Sequence, residues 1–206
     1  MATDYPAGLS VDYPERKLNR LTTFFRIFVV IPILIIFGLL LDNAVQFSGK
    51  DGANTAAGLG LVVLPLVLMI LFRKKYPRWW YDWNLSFASF MYRIYAYVYL
   101  LTDVYPSTDE EQSVHVELAY PDAAGLNRWL PLVKWFLAIP HIIVLACLGI
   151  AAVVVAVIAW FAILFTGNYP KGLFDFVVGV MRWQLRVMSY ALILVTDKYP
   201  PFSLEV

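Results

Sequence analysis

One cysteine and two histidines in 206 residues leave little room for redox or metal chemistry. Cys147 lies inside an apolar run, so an internal disulfide and a Cys-rich metal cluster are both excluded. Its expected part is that of a small buried hydrophobe. His115 and His141 have no second His or Cys nearby at ligand spacing. G-x-S-x-G, P-loop and H-E-x-x-H patterns are missing, as is a pair of carboxylates within an apolar run. The expectation is a protein that is not an enzyme and carries no cofactor. Charged residues make up only 15% of the chain and the net charge is +1, which argues against a nucleic-acid footprint. The first twenty residues are polar and broken by proline, so no secretory leader is expected there.

What the chain has in excess is apolar surface. It is 61% hydrophobic, against about 45–50% in soluble domains, and lipid is the natural solvent for such a chain. Thr22–Leu41 offers 20 mostly apolar residues, enough to cross roughly 30 Å of hydrocarbon, with Arg26 near its start and Pro32 inside it. Asp42–Ala56 reads as a polar loop, and Ala56–Phe72 as a second apolar helix stopped by Arg73-Lys74-Lys75. Leu130–Phe165, at 36 residues, is too long for one comfortable span. Two helices with a tight turn near Gly149 are expected there, by analogy with the first half.

The analogy rests on internal repetition. Leu18-Asn19-Arg20, Arg26 and Ile31-Pro32 recur as Leu126-Asn127-Arg128, Lys134 and Ile139-Pro140. Tyr76-Pro77, Asp82, Arg93 and Tyr97 recur at one offset as Tyr169-Pro170, Asp175, Arg186 and Tyr190. Each half closes on Thr-Asp-x-Tyr-Pro, at Thr102–Pro106 and Thr196–Pro200. Duplication of this kind is a signature of pseudo-symmetric architecture, many transporter folds included.

The third element of each half is aromatic. Trp79–Thr102 holds ten aromatic side chains, a residue type favoured at the headgroup level. At helical spacing Asp82, Ser86, Ser89 and Arg93 share one stripe, as do Asp175, Gly179, Arg182, Arg186 and Ser189 in the second half. The pattern predicts an amphipathic helix lying in the interface plane, with a third transmembrane span as the competing reading. Basic clusters on either side of the first two spans place both termini in the cytoplasm under the positive-inside rule.

The candidate functional residues follow from cost. Charges at membrane depth are paired or functional, so Arg26, Arg93, Arg182, Arg186, Asp82 and Asp175 are candidates for contact with lipid headgroups or partner proteins, and equally for interhelix pairing. His141, just after Pro140, is a candidate intramembrane polar site. Its alternative is a hydrogen bond to another helix.

Arg128–His141 (RWLPLVKWFLAIPH), Phe165–Trp183 (FTGNYPKGLFDFVVGVMRW) and Leu194–Phe202 (LVTDKYPPF) resemble a prokaryotic membrane family catalogued as domain of unknown function 4389. The resemblance covers nearly the whole chain and is sharper in the second half. It implies a multi-span bacterial or archaeal membrane protein and supplies no activity. The first half departs from the fuller pattern, with Lys17 and Thr22 where the second half has Gly125 and Leu130.

The sequence thus predicts an all-α integral membrane protein of two tandem repeats, each a transmembrane helical hairpin followed by an aromatic-rich amphipathic interfacial helix. Residues 1–17 form an N-terminal cytoplasmic segment, 18–106 and 120–206 the repeats, and 107–119 a polar linker. The expected setting is the cell membrane of a prokaryote, crossed several times. The expected role is a non-enzymatic structural or accessory subunit of a larger membrane complex, with the lipid bilayer and other membrane subunits as partners. A small transporter or channel with a site between the repeats, and a lipid-binding or membrane-organising protein, are the alternatives.

Overall fold

A five-residue strand, β1 (Ala7–Val11), opens the chain and pairs antiparallel with β2 (Val114–Leu118), in a register that sets Ala7 opposite Leu118 and Val11 opposite Val114. Between and after them lie the helices α1 (Arg20–Val45), α2 (Arg78–Val98), α3 (Leu130–Thr166) and α4 (Lys171–Ala191). A single π-helical turn, Met69–Arg73, precedes α2. The structure, a computed structural model, describes residues 5–15, 17–45, 66–108, 110–122 and 125–205.

The strands correct the all-α expectation. Alternation drives them: Ala7, Leu9 and Val11 are buried while Ser10 is exposed, and Val114 and Leu118 are buried while His115 and Glu117 are exposed. The buried face rests on α2 and α4. Parts of the expected cytoplasmic segment and polar linker are therefore one small sheet.

The expected second hairpin is also corrected. Leu130–Thr166 is one uninterrupted 37-residue helix, about 55 Å long at 1.5 Å per residue. Pro131 suits its first turn, where no N–H is needed. Gly167 ends it in the left-handed region (φ 78°), its N–H donating to Ile163 O at 2.7 Å. Gly149 does not break it, because no polar residue near it offers the backbone another partner and one interior glycine costs only about 1 kcal/mol. Among the described residues α3 is the one helix long and apolar enough to cross a membrane, with 11% of its most apolar window buried. The expected loop Asp42–Ala56 and helix Ala56–Phe72 lie largely outside the described residues. Two transmembrane hairpins are not the architecture.

Three antiparallel packings organise the helices. Against α4, α3 sets Trp135 Nε1 on Ala191 O (2.7 Å) and His141 on Trp183. Against α2, α1 sets Arg26 on Tyr97 O (3.1 Å) and Ile33 on Phe90 and Ile94. The start of α1 meets the end of α3, where Trp160 Nε1 donates to Thr23 O (3.0 Å) and Arg20 to Phe165 O (3.1 Å).

Of the two amphipathic helices, α4 covers much of its polar seam within the protein, whereas Asp82 and Ser86 of α2 are exposed. Thirteen residues of α4, Arg186 and Ser189 among them, are buried. The seam is covered by β1 and by the C-terminal segment, which passes so close that a Cβ on Gly179 would sit 2.9 Å from both Leu204 Cβ and Leu204 O.

These two glycines make opposite predictions. A Cβ on Gly149 would meet nothing within 4 Å. Gly149→Ala should therefore raise stability by up to about 1 kcal/mol through helix propensity. Gly179→Ala should lower it by roughly 1–3 kcal/mol, since the Leu204 backbone must move. Thermal and denaturant unfolding in detergent would check both, and a loss at Gly149 would show that the helix is not continuous there.

Candidate functional site

Two cations are buried at the starts of the long helices, and each is met by the aspartate of a Thr-Asp-x-Tyr-Pro segment. Arg26 Nη1 donates to Tyr97 O (3.1 Å) and Thr102 O (2.8 Å), and Nη2 to Asp103 Oδ1. The guanidinium lies over the Tyr97 ring, 4.4 Å from its centroid. Lys134 Nζ donates to Thr196 O (2.6 Å), pairs with Asp197 Oδ1 (2.7 Å) and lies 5.0 Å from the centroid of Tyr190. The other carboxylate oxygen of each aspartate accepts a backbone N–H ahead of the same long helix: Asn19 N to Asp103 at 2.7 Å, and Asn127 N to Asp197 at 2.6 Å.

The backbone is bent to deliver these aspartates. Leu100 (φ 66°) and Leu194 (φ 61°), each three residues ahead of its aspartate, occupy the left-handed region, which costs a bulky residue of the order of 1–3 kcal/mol. Burial repays it, since both leucines sit in the core. Thr102 Oγ1 and Thr196 Oγ1 then hold the next turn, accepting from Val104 N (3.2 Å) and Lys198 N (3.1 Å). We call each arrangement a clasp: it ties the segment after α2 or α4 to the helix packed against it.

The remaining candidates fall into place around the clasps. Arg93 donates to Ser107 O (2.8 Å). Arg182 donates to Leu9 O (3.0 Å) and Leu204 O (3.2 Å). Arg186, almost wholly buried, donates to Ser203 O (3.3 Å) and to Glu205 O. Burial lowers the pKa of both Arg182 and Arg186 without threatening their charge. These three arginines are directed at the protein's own carbonyls. Asp82 and Asp175 are exposed near the starts of α2 and α4. Asp175 is near enough for its charge to act on Arg182, while no ion pair joins Asp82 to Arg93 among the described residues.

His141 bonds across helices. Its Nδ1 accepts from Trp183 Nε1 at 3.1 Å, which leaves the ring proton on Nε2. The ring stacks on Phe202 at 3.9 Å and touches Tyr199 at 4.8 Å. In the first half Ile33 against Phe90 occupies the corresponding contact without a polar atom.

The other feature of this region is apolar. A groove of about 580 Å³ runs between α2, α3 and α4, lined by Met91, Tyr95, Trp135, Ala146, Gly149, Met181 and their neighbours. Neither the groove nor Asp103, Asp197 and Lys134 were among the candidate functional residues, although the last three were visible in the repeat. The signal for the clasp was present as the doubled Thr-Asp-x-Tyr-Pro and the basic residue shared by the two L-N-R segments. The groove had none, because its walls are mostly ordinary apolar residues.

Among the described residues no group of three or more His, Cys, Asp or Glu could hold a metal ion. Residues 129–203, which contain α3, α4 and the second clasp, match a family model described as Domain of unknown function (DUF4389). No curated protein and no solved structure matches the chain.

The clasp predicts a defined substitution pattern. Lys134→Met strands the Asp197 carboxylate and Thr196 O and should cost roughly 3–5 kcal/mol. Lys134→Arg should cost under about 1.5 kcal/mol, because a guanidinium already fills the corresponding place at Arg26. Equal losses in thermal unfolding would remove the charge argument.

A second prediction concerns pH. Tyr5 donates to Lys198 O (3.2 Å) and Arg186 O (3.3 Å), and burial pushes its hydroxyl up to about 12, against a Ser189 hydrogen bond and the Arg186 charge that pull it down. Its folded pKa thus lies above the unfolded value of about 10. Stability from the neutral hydroxyl is complete below about pH 10 and is lost as pH rises through about 12. Tyr5→Phe should flatten that part of the alkaline loss, as read by unfolding midpoints across the same pH range.

Proposed function

We propose, for a chain whose residues 129–203 match the model of the family of domain of unknown function 4389, a role as a non-enzymatic structural or accessory component of a membrane assembly. The observation that carries this reading is the division of labour between its polar and apolar groups. Arg26, Arg93, Lys134, Arg182 and Arg186 are spent on the protein's own carbonyls and loop aspartates. The surface of α3, in contrast, is left apolar and uncovered, with Phe136, Ile143, Ile150 and Phe165 between 62% and 78% exposed. Leu21, Ile27 and Phe28 of α1 are 65–70% exposed. Apolar surface on this scale is covered by hydrocarbon or by other apolar protein.

Charge-paired clasps make the fold rigid at its polar level, and a rigid frame with an apolar exterior suits a part that holds other parts in place. Extraction from the native membrane in mild detergent, followed by native electrophoresis and mass spectrometry, tests the reading. The expected result is co-migration with other membrane proteins at fixed stoichiometry. A lone particle that turns over a substrate, or carries a flux in proteoliposomes, would rule it out.

A further inference from the structure

The groove between α2, α3 and α4 is long and mostly apolar. Its lining on α3 runs from Trp135 to Ala152, about 26 Å of helix. Spread over that length, 580 Å³ leaves a mean cross-section of about 22 Å². A helix with side chains, at roughly 10–12 Å in diameter, needs about 80–110 Å². A partner helix would have to lie largely outside the groove, whereas a single hydrocarbon chain lying along α3 fits within it.

The walls suit such an occupant. Met91, Met181 and Met188 line it, three flexible side chains that adapt to an irregular apolar shape. Ala146, Gly149 and Ala152 form the floor, and Gly149 opens onto free space. The lips are exposed, Trp135 by 44%, Ile142 by 56% and Leu192 by 42%, so the groove opens sideways onto the same surroundings as the bare face of α3. An apolar space of this size holds water poorly, and left empty it would deprive its lining of dispersion contacts. Just beyond the Trp135 end, ahead of the α3 N-terminus, Arg128 is exposed and has no ion pair among the described residues. Its place in the chain, seven residues before Trp135, sets a cation at the same end of α3 as that end of the groove.

We infer that the groove is a binding site for one hydrocarbon chain of a bilayer phospholipid, whose anionic headgroup lies beside Arg128. This rests on the membrane setting proposed above, and goes beyond it by naming a resident ligand.

The test is lipid retention by the intact protein purified in mild detergent, measured by native mass spectrometry and by mass analysis of extracted lipid. Wild type should keep about one phospholipid per chain, enriched in anionic heads over the source membrane. Gly149→Leu starts from a Cβ position with nothing within 4 Å, and should lower retention by roughly fivefold or more at an unfolding midpoint no lower than that of wild type. Gly172→Leu, also at an open glycine but outside the groove, should retain lipid as wild type does. Arg128→Gln should keep the chain and lose the anionic preference. No retained lipid, or equal retention by Gly149→Leu, overturns the site; an unchanged preference in Arg128→Gln overturns the headgroup's place. A protein that pellets with membranes and co-migrates with partners, yet holds no lipid, sinks this inference alone. A protein found in the aqueous fraction sinks the membrane setting itself.

Discussion

A buried cation that cannot find its carboxylate would undo this fold. Arg26 and Lys134 are held in the protein at the starts of α1 and α3, where desolvation costs several kcal/mol per ion before any pairing. Asp103 and Asp197 return that cost only by reaching the cation with one oxygen and a backbone N–H with the other. The requirement fixes much else. The segments after α2 and α4 must turn sharply enough to bring an aspartate back to the neighbouring helix. Leu100 and Leu194 accept left-handed backbone to make that turn. Tyr97 and Tyr190 must offer their ring faces to the cations. Position along the chain is thus set by electrostatics, and the apolar contacts fill in between.

Much of the site was readable in the sequence as pattern, though not as contact. The doubled L-N-R and Thr-Asp-x-Tyr-Pro segments mark both ends of each clasp, but nothing in either says that they meet. Arg26 pairs across 77 positions and Lys134 across 63, and one-dimensional spacing carries no such information. The stripe holding Arg182 and Arg186 was visible as a polar seam. Its occupant was not, because Leu9 O, Leu204 O and Ser203 O are backbone atoms that any residue could supply. Val114–Leu118 alternates strictly between apolar and polar, and reads as a strand once its partner is known. Its partner β1 lies more than a hundred positions away and is five residues long, too short to announce itself.

The misreading of Leu130–Phe165 has a different cause. Length alone argued for two helices, on the premise that an apolar run must match the roughly 30 Å of a bilayer. The structure keeps one helix because nothing near Gly149 competes for its backbone, and a turn there would leave carbonyls unsatisfied in apolar surroundings. The excess length is instead absorbed at the C-terminal end, where Ile163 and Ala159 are buried and Trp160 reaches Thr23 of α1. Packing against α1 supplies there what the length rule assigned to a second crossing.

Because the charged side chains of this chain hold its own framework together, substituting them reports on folding rather than on function. Removing Arg186 frees backbone carbonyls of the C-terminal segment, and removing Lys134 strands an aspartate; in either case loss of activity would follow loss of structure. Function has to be sought in side chains whose removal leaves every hydrogen bond in place. Part of the lining of the α2–α3–α4 groove meets that condition, for Met91, Ala146, Gly149 and Met181 contribute no side-chain hydrogen bond, unlike Trp135, which donates to Ala191 O. In a protein of this kind the informative substitutions are therefore apolar for apolar, changing volume alone. The groove is where a change in volume alters what can bind without altering what holds the chain together.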